Sequence, residues 1–386
     1  MRFAHISVLL LLFLPAAQAI TQPSLWGPDH VMGNVDTAWY VDPMIRYANY
    51  VTDAELLQKD NITADKASQY LYDRPRALTQ LFLLTGDLKW KQQAIAASQF
   101  YLARVADDGY FSLVEKKDIK YLMPRGLLYY YQLTSDESAR RAINRIYQAS
   151  LDWSPEYRNR GFWTERNQAA ALEAAVSYYE LTDDAKALQR IDQILSATLD
   201  MVVSPANGWP QRGCPQHTFK AHEGGTDASA VCSPWMLALL ADPIWRFYQL
   251  TQSAKAEKLL RLFGRFILEY GTYPGKDKFE GQQLPKYLVV FDNAQMEDIN
   301  PWNDMQHSCD VAALLGKALY FEPQISRQSA ATFFALLAPC KNKASRLKDK
   351  KPYWRVRPPR KFGWEYSTTS DLPWLEQMVI QRQSKE

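Results

Sequence analysis

The chain has 386 residues, of which 47% are hydrophobic and 23% charged, with a formal net charge of +3. Such a balance is that of a globular protein and excludes a disordered tail-like polymer. The small net charge also excludes a global field that would recruit nucleic acid.

Residues 1–19, "MRFAHISVLLLLFLPAAQA", open with Arg2, run apolar from Val8 to Leu14, break at Pro15 and end in Ala17-Gln18-Ala19. This is the pattern of a cleaved secretory signal. The apolar run is about half of what a bilayer span requires. No later stretch is apolar for long enough, so the expected protein is secreted or periplasmic, without a transmembrane segment after cleavage.

Next comes "DTAWYVDPMIRYANYVTDAELL" from Asp36, expected to supply a first inner helix. From there the chain repeats a phrase: "LFLLTGD", "YYYQLTSD", "SYYELTDD" and "RFYQLTQS". Each closes a segment that is apolar or small on nearly all sides (74–87, 123–136, 166–184, 233–253), the signature of a buried helix. The segment after each phrase places apolar residues at three- and four-residue steps among Lys, Arg, Gln and Asp, the signature of a surface helix. Between them lies a tight turn with an N-cap. Thr85 and Thr134 are 49 positions apart, Thr134 and Thr182 are 48, and Thr182 and Thr251 are 69. That spacing predicts a repeat array with an insertion of about twenty residues in the last interval. "HSCDVAALLGKALYFEP" from His307 and "ISRQSAATFFALLAP" supply the last hairpin, making six inner helices. An open solenoid is disfavoured by the long period and the long loops before the inner helices.

Export makes the four cysteines interpretable. Among three connectivities, sequential pairing is expected: Cys214 with Cys232 and Cys309 with Cys340. A cysteine metal site is the weaker rival, because no Cys-x-x-Cys is present. From Lys341 to Lys361 the chain carries ten basic residues and one acid. Tyr353, Trp354, Trp364, Tyr366 and Trp374 interleave with or follow it. The expected organisation is a signal at 1–19, a toroid at 20–340, and a basic, aromatic tail at 341–386 packed on the toroid.

The aromatic-Leu-Thr-Gly-Asp turn repeated at about 48 residues resembles the six-hairpin glycosidase-like superfamily, over roughly residues 36–340. That superfamily contains glycoside hydrolases and several polysaccharide lyases. The resemblance implies an all-α (α/α)6 toroid whose inner helices start at one mouth, the substrate cleft. No single family's catalytic motif is matched, so no residue is carried over. The partner implied is a carbohydrate, not nucleic acid, and no cofactor or metal is assigned.

The mouth loops hold the chemistry. Their carboxylates are Asp36, Asp73, Glu165, Glu223, Asp227, Asp292, Asp304 and Asp310. Glycoside hydrolysis needs an acid and a base or nucleophile flanking the bond. Glu165, Asp227 and Asp304 lead this set. Glu165 lies between Trp163 and Arg166, where an aromatic neighbour would raise its pKa; its bland role is helix N-terminal charge. Asp73 is explained by ion pairing with Arg74 and Arg76, and Asp227 by capping. Trp39, Trp163, Trp209, Trp235 and Trp302 offer sugar-stacking faces, or plug the ring. Arg74, Tyr121, Arg166 and Asn167 offer polar contacts. His217 and His222 sit in "CPQHTFKAHEGGTD", where a five-residue spacing is no known zinc signature. The alternative chemistry is β-elimination on a uronate glycan, using His222, His307, Tyr121, Arg166 and Asn167. A third reading is a non-catalytic envelope glycan-binding or assembly protein.

Overall fold

The computed structural model describes residues 35–53, 67–156, 164–222, 225–292, 297, 299–345 and 358–383. The segment 1–19 expected to be a signal, Trp163, Glu223 and most of the basic run lie outside them. The elements are α1 (Ala38–Thr52) and five helical hairpins. These are α2 (Arg74–Thr85) with α3 (Leu88–Leu102), α4 (Pro124–Thr134) with α5 (Glu137–Ser150), and α6 (Glu165–Thr182) with α7 (Ala185–Val203). Then come α8 (Pro234–Thr251) with α9 (Ala254–Glu269) and α10 (Ser308–Leu319) with α11 (Arg327–Ser345). α12 (Pro358–Ser367) and α13 (Leu372–Arg382) end the described chain. The fold is the all-α (α/α)6 toroid.

Burial separates the two layers as the sequence pattern predicts. Every residue of α10 is buried, and α6 and α8 are buried over most of their length. α5 buries Ala139, Ala142, Ile143, Ile146 and Tyr147, a stripe at three- and four-residue steps. Neighbouring inner helices pack in the order α2, α4, α6, α8, α10.

The sixth inner position is filled from the far end of the chain. α12 lies against the start of α2, where a Cβ on Gly363 would stand 2.7 Å from the Tyr72 carbonyl. Gln80 of α2 donates to Ser367 O at 3.1 Å, and Trp364 Nε1 donates to Asp310 of α10 at 2.8 Å. α12 therefore bridges α10 and α2. The expectation that α1 is an inner helix is corrected. Its buried face is Tyr40, Met44, Tyr47, Ala48 and Val51, while Asp42 and Asn49 are exposed. That is an outer helix, and its Tyr47 and Tyr40 pack edge-on against Phe362 and Tyr366 of α12.

The repeated phrase is a turn with a division of labour. The Thr hydroxyl donates back to the carbonyl four residues earlier: Thr85 to Leu81 at 2.8 Å, Thr134 to Tyr130, Thr182 to Tyr178 and Thr251 to Phe247, each at 2.7 Å. The next residue turns left-handed: Gly86, Ser135, Asp183 and Gln252, with φ of 70°, 59°, 54° and 55°. Its amide closes the helix onto a carbonyl of the last turn. The cap of the outer helix follows, with Asp87, Asp136 and Asp184 accepting amides at 2.9, 2.9 and 2.7 Å. Ser253 does the same at 3.4 Å.

Two small sheets lie among the loops. β1 (His217–Thr218) and β5 (Val289–Val290) flank β2 (Ala230–Cys232), all antiparallel; β3 (Thr272–Pro274) pairs with β4 (Gln283–Pro285). β1 and β2 are the insertion inferred between Thr182 and Thr251. Both cysteine pairs sit at disulfide distance in sequential order, with Cα separations of 6.5 and 4.9 Å. Among the described residues no helix is long and apolar enough to cross a membrane.

The Thr hydroxyl also accepts from the cap residue's amide, as Thr134 does from Asp136 at 3.3 Å. Thr134→Val loses both bonds on a partly solvated turn and is expected to cost about 0.5–1 kcal/mol in urea unfolding, while Thr134→Ser stays close to the parent. An unchanged midpoint in Thr134→Val would show the hydroxyl to be idle.

Candidate active site

Two layers occupy the mouth. The upper one is built on the β1–β2–β5 sheet. Glu165 opens α6 and is wholly buried; its Oε1 accepts the Ser233 amide at the start of α8 at 2.9 Å. His217 on β1 brings Nδ1 within 3.8 Å of the same oxygen, and that nitrogen is also 3.3 Å from Pro215 O. Glu165 Oε2 is buried and makes no hydrogen bond. Burial pushes the Glu165 carboxyl up to about 7 and His217 down to about 4. His222 falls to about 3, through burial first and then the charges of His217 and Arg166. Near neutral pH Glu165 is therefore partly protonated, and both imidazoles are uncharged.

Beside it His307 lies in an aromatic box. Trp235 stacks on it at 4.7 Å, Trp364 tilts over it at 4.5 Å, and Tyr287 stands edge-on at 5.7 Å. Its Nδ1 is 3.6 Å from Asp310 Oδ2, the oxygen that also accepts Trp364 Nε1.

The lower layer is a cavity of about 90 Å³ on the ring axis, open to solvent. Tyr72, Asp73, Lys120, Met123, Arg166 and Glu173 line it, with Arg76, Arg125 and Asp242 deeper. Asp73 is the N-cap of α2. Its Oδ1 accepts the Arg76 amide at 2.9 Å, and its Oδ2 accepts the Gly126 amide of α4 at 2.8 Å. Gly126 is required there, because a Cβ would come within 2.3 Å of Asp73 Oδ1. Burial raises Asp73 to about 6 against the pull of those two amides. Below it, Arg76 pairs with Asp242 through two bonds of 2.6 and 3.2 Å, and Lys317 reaches Asp242 at 3.2 Å. Arg125 donates to Glu173 at 2.8 Å and pairs with Glu180, which Arg246 also holds. Burial would raise Glu180, but Arg125 and Arg246 outweigh it and leave the carboxyl at about 2.

The structure gathers Glu165, His222, Arg166, Asn167 and His307 at the mouth, all buried, together with Tyr121. It does not gather the other carboxylates. Asp227 holds a loop turn, accepting the Ser229 amide at 2.8 Å, a bond that lowers its pKa. Asp304 is buried beneath the β3–β4 hairpin, where it accepts the Tyr273 hydroxyl at 2.7 Å and the Asn300 amide at 2.9 Å. Asp36 accepts the Ala38 amide at 3.0 Å just before α1, and Asp292 is exposed with an oxygen 3.3 Å from the Ala230 amide. Arg74 lies over the Tyr70 ring. Trp39 packs on α1 beneath Lys341, Trp209 is half-buried on the loop after α7, and Trp302 is 44% exposed against Phe279.

The reading of Asp73 as an ion-pair partner is corrected, since Arg76 serves Asp242 instead. The signal was present: Asp-Arg-Pro before an apolar run is an N-cap followed by a proline in the first turn. Sequence reasoning misses Tyr287, whose segment carries no motif, and Glu173, which lies within a helix read as apolar core, and it places Trp364 on the tail.

No family model matches the chain, and no curated protein matches it. Solved structures do. One is a variant of the unsaturated glucuronyl hydrolase of Streptococcus agalactiae, with a TM-score of 0.56 and 12% identity over 90% of this chain and 93% of that one. Another is the GH76A alpha-1,6-mannanase of a Salegentibacter species, at 0.54 and 10% over 86% of this chain and 99% of that one. A third is a family 105 glycoside hydrolase of C. acetobutylicum, at 0.54 and 13% over 86% and 98%. All are six-hairpin toroids, and at these identities the likeness establishes the fold.

The upper layer makes a pH prediction. A folded-state pKa near 7 means that folded Glu165 holds its proton after the unfolded chain has lost it. Its contribution to stability falls as pH rises from about 4.5 to about 7. His217 and His222 act oppositely over the window below 6.5. Glu165→Gln keeps an oxygen for the Ser233 amide and removes the titration. The variant's melting temperature should gain on the parent's between pH 5 and about 7 and level off above that. Parallel curves would remove Glu165 from the set of titrating groups.

Proposed function

We propose that the protein is an exported carbohydrate-active enzyme, a glycoside hydrolase whose proton donor is Asp73. One observation carries this: a carboxyl with its pKa raised to about 6 lines the solvent-open cavity on the ring axis. A general acid works best with its pKa near the working pH. Glu165, the leading candidate from sequence, is fully buried beneath the sheet, so Asp73 is the better-placed acid.

Hydrolysis needs a second carboxylate. Glu173 lines the same cavity and is fixed by Arg125 and by the Ser177 hydroxyl at 2.7 Å. In this scheme Asp73 protonates the leaving oxygen while Glu173 takes the proton of the attacking water or stabilises the sugar cation. Toroids of the same fold include, by name, a glucuronyl hydrolase, a mannanase and a family 105 glycoside hydrolase, which supports the sugar-cleaving reading. The leader pattern and the two cysteine pairs at disulfide distance support export. The elimination alternative keeps one supporting observation: His222 and Tyr121 both lie in the field of Arg166.

Asp73→Asn keeps an oxygen for one of its two amides but turns an NH2 toward the other, and it cannot donate an acidic proton, so its melting temperature is measured beside its activity. Assayed on neutral and uronate-containing oligosaccharides, the parent should release reducing ends without absorbance near 235 nm, and the variant should lose about a hundredfold or more in kcat. Parent activity should fall as pH rises above about 6. Absorbance at 235 nm would transfer the assignment to elimination. A fully active Asp73→Asn would exclude Asp73 as the acid.

A further inference from the structure

Four charged residues share one repeat position. Arg76, Arg125, Glu173 and Asp242 each stand nine places before the threonine that ends their helix: Thr85, Thr134, Thr182 and Thr251. The turns at those threonines have one geometry, so the four side chains start from one level of the ring. Their contacts agree with this. Arg76 meets Asp242 at 2.6 Å, and Arg125 meets Glu173 at 2.8 Å. All four line the axial cavity. They are its floor, because the axis beneath them is filled. Lys317 comes up to Asp242, and Glu180 joins Arg125 to Arg246. The Lys317 and Glu180 side chains are 2% and 8% exposed, so water does not reach the cavity from below.

The dimensions above this floor are small. Arg166, the first residue of α6 to line the cavity, stands seven places before Glu173. Helical rise makes that about 10 Å of depth. The volume of about 90 Å³ holds about six to nine waters, the room that one pyranose ring with its hydroxyls needs. One side of the opening is also walled. α6 and α8 have 18 residues each, against 12 in α2 and 11 in α4. All four end at the same turn, so α6 and α8 begin about 9 Å higher than α2. Their raised starts carry the β1–β2–β5 sheet: Ser233 bonds Glu165 through its amide and the Tyr287 carbonyl through its hydroxyl.

We propose that the cavity is an end-on pocket for a single terminal sugar, and that the enzyme trims its glycan from a chain end, one unit per turnover. A glycan bound along its length needs a groove open on two sides. Here ion pairs fill the floor and a sheet walls one side. A chain end, by contrast, can descend to Glu173 and to Asp73, which lies one turn above Arg76 on α2. Each turnover breaks the bond between the seated unit and its neighbour. Water gives its hydroxyl to the anomeric carbon, and a proton goes to the leaving oxygen. The products are one monosaccharide and a chain shorter by one unit. The inference rests on the hydrolase reading of the mouth but not on which carboxylate is the acid.

The test uses the full mature chain and two series of oligosaccharides, one of mannose and one of galacturonate. From a tetrasaccharide, the first products resolved by chromatography should be monosaccharide and trisaccharide. Reducing one end to the alditol and closing a cyclic ketal on the other should differ: one block abolishes cleavage and the other spares it. Disaccharide among the first products, or cleavage that survives both blocks, overturns the pocket and leaves the hydrolase standing. A second arm reads binding. Ala170 lines the cavity one turn above Glu173, and Ala170→Leu fills the seat. The variant should keep its melting temperature and bind the cleaved oligosaccharide about tenfold more weakly or worse. A variant that binds like the parent overturns the pocket. Should no glycan be cleaved, the hydrolase falls and binding alone decides the pocket. Affinity that is equal for disaccharide and hexasaccharide and lost in Ala170→Leu upholds it. Affinity that climbs with each added unit, or no binding in either series, sinks it.

Discussion

Two buried carboxylates align the starts of the inner helices. Asp73 opens α2 and takes the Gly126 amide of α4; Glu165 opens α6 and takes the Ser233 amide of α8. The first amides of a helix have no partner inside it, and negative charge is favoured at that end. One oxygen from one helix therefore satisfies an orphan donor of the next. This sets adjacent helices at a common level, so that their preceding loops converge on one opening. Burial is the condition for that strength, and burial also raises the carboxyl pKa. The residues that align the ring are for that reason weak acids near neutral pH.

Deeper in the ring, ion pairs span the helices. Arg76 of α2 meets Asp242 of α8, which Lys317 of α10 also reaches; Arg125 of α4 meets Glu173 and Glu180 of α6, and Arg246 of α8 holds Glu180. An apolar plug of equal volume would be no less stabilising. Removing one partner, however, strands a charge that has no water to turn to. The network thus fixes which inner helices face one another more sharply than it strengthens the fold. It also determines the electrostatics of the opening: the deep cations are neutralised where they stand, and the sign of the mouth is left to groups near the rim.

The sequence announced the hairpins because the turn chemistry is local. Leu-Thr, a left-handed residue and a capping Asp or Ser each act within a few positions, and they repeat four times. The pairing of Cys309 with Cys340 was legible for a similar reason, since it joins the two helices of one hairpin, whereas Cys214 and Cys232 lie within the insertion and close a loop there. What escaped was non-local. Asp73 stands beside two arginines in sequence, yet its partners are a backbone amide three residues on and another fifty-three residues on. Asp304 and Asp227 sit in loops of the expected kind, but their oxygens are occupied by Tyr273, Asn300 and Ser229. α1 shows an outer-helix stripe in its own pattern, with Tyr40, Met44, Tyr47 and Val51 on one face, and that stripe was the better guide than its position first in line.

α12 is the instructive case. Its inner-helix character is hidden inside a segment whose charge suggests a solvated tail, because Phe362, Trp364 and Tyr366 alternate with Gly363, Glu365 and the preceding cations. Yet these three aromatics close the ring. Phe362 and Tyr366 join the core shared by α1 and α2, and Trp364 completes the box around His307. The circle is closed by a helix from the end of the chain, whose partners lie on α2 and α10, at opposite ends of the repeat array. One aromatic wall of the opening comes from this ten-residue helix, so ring closure and the shape of the opening cannot be separated.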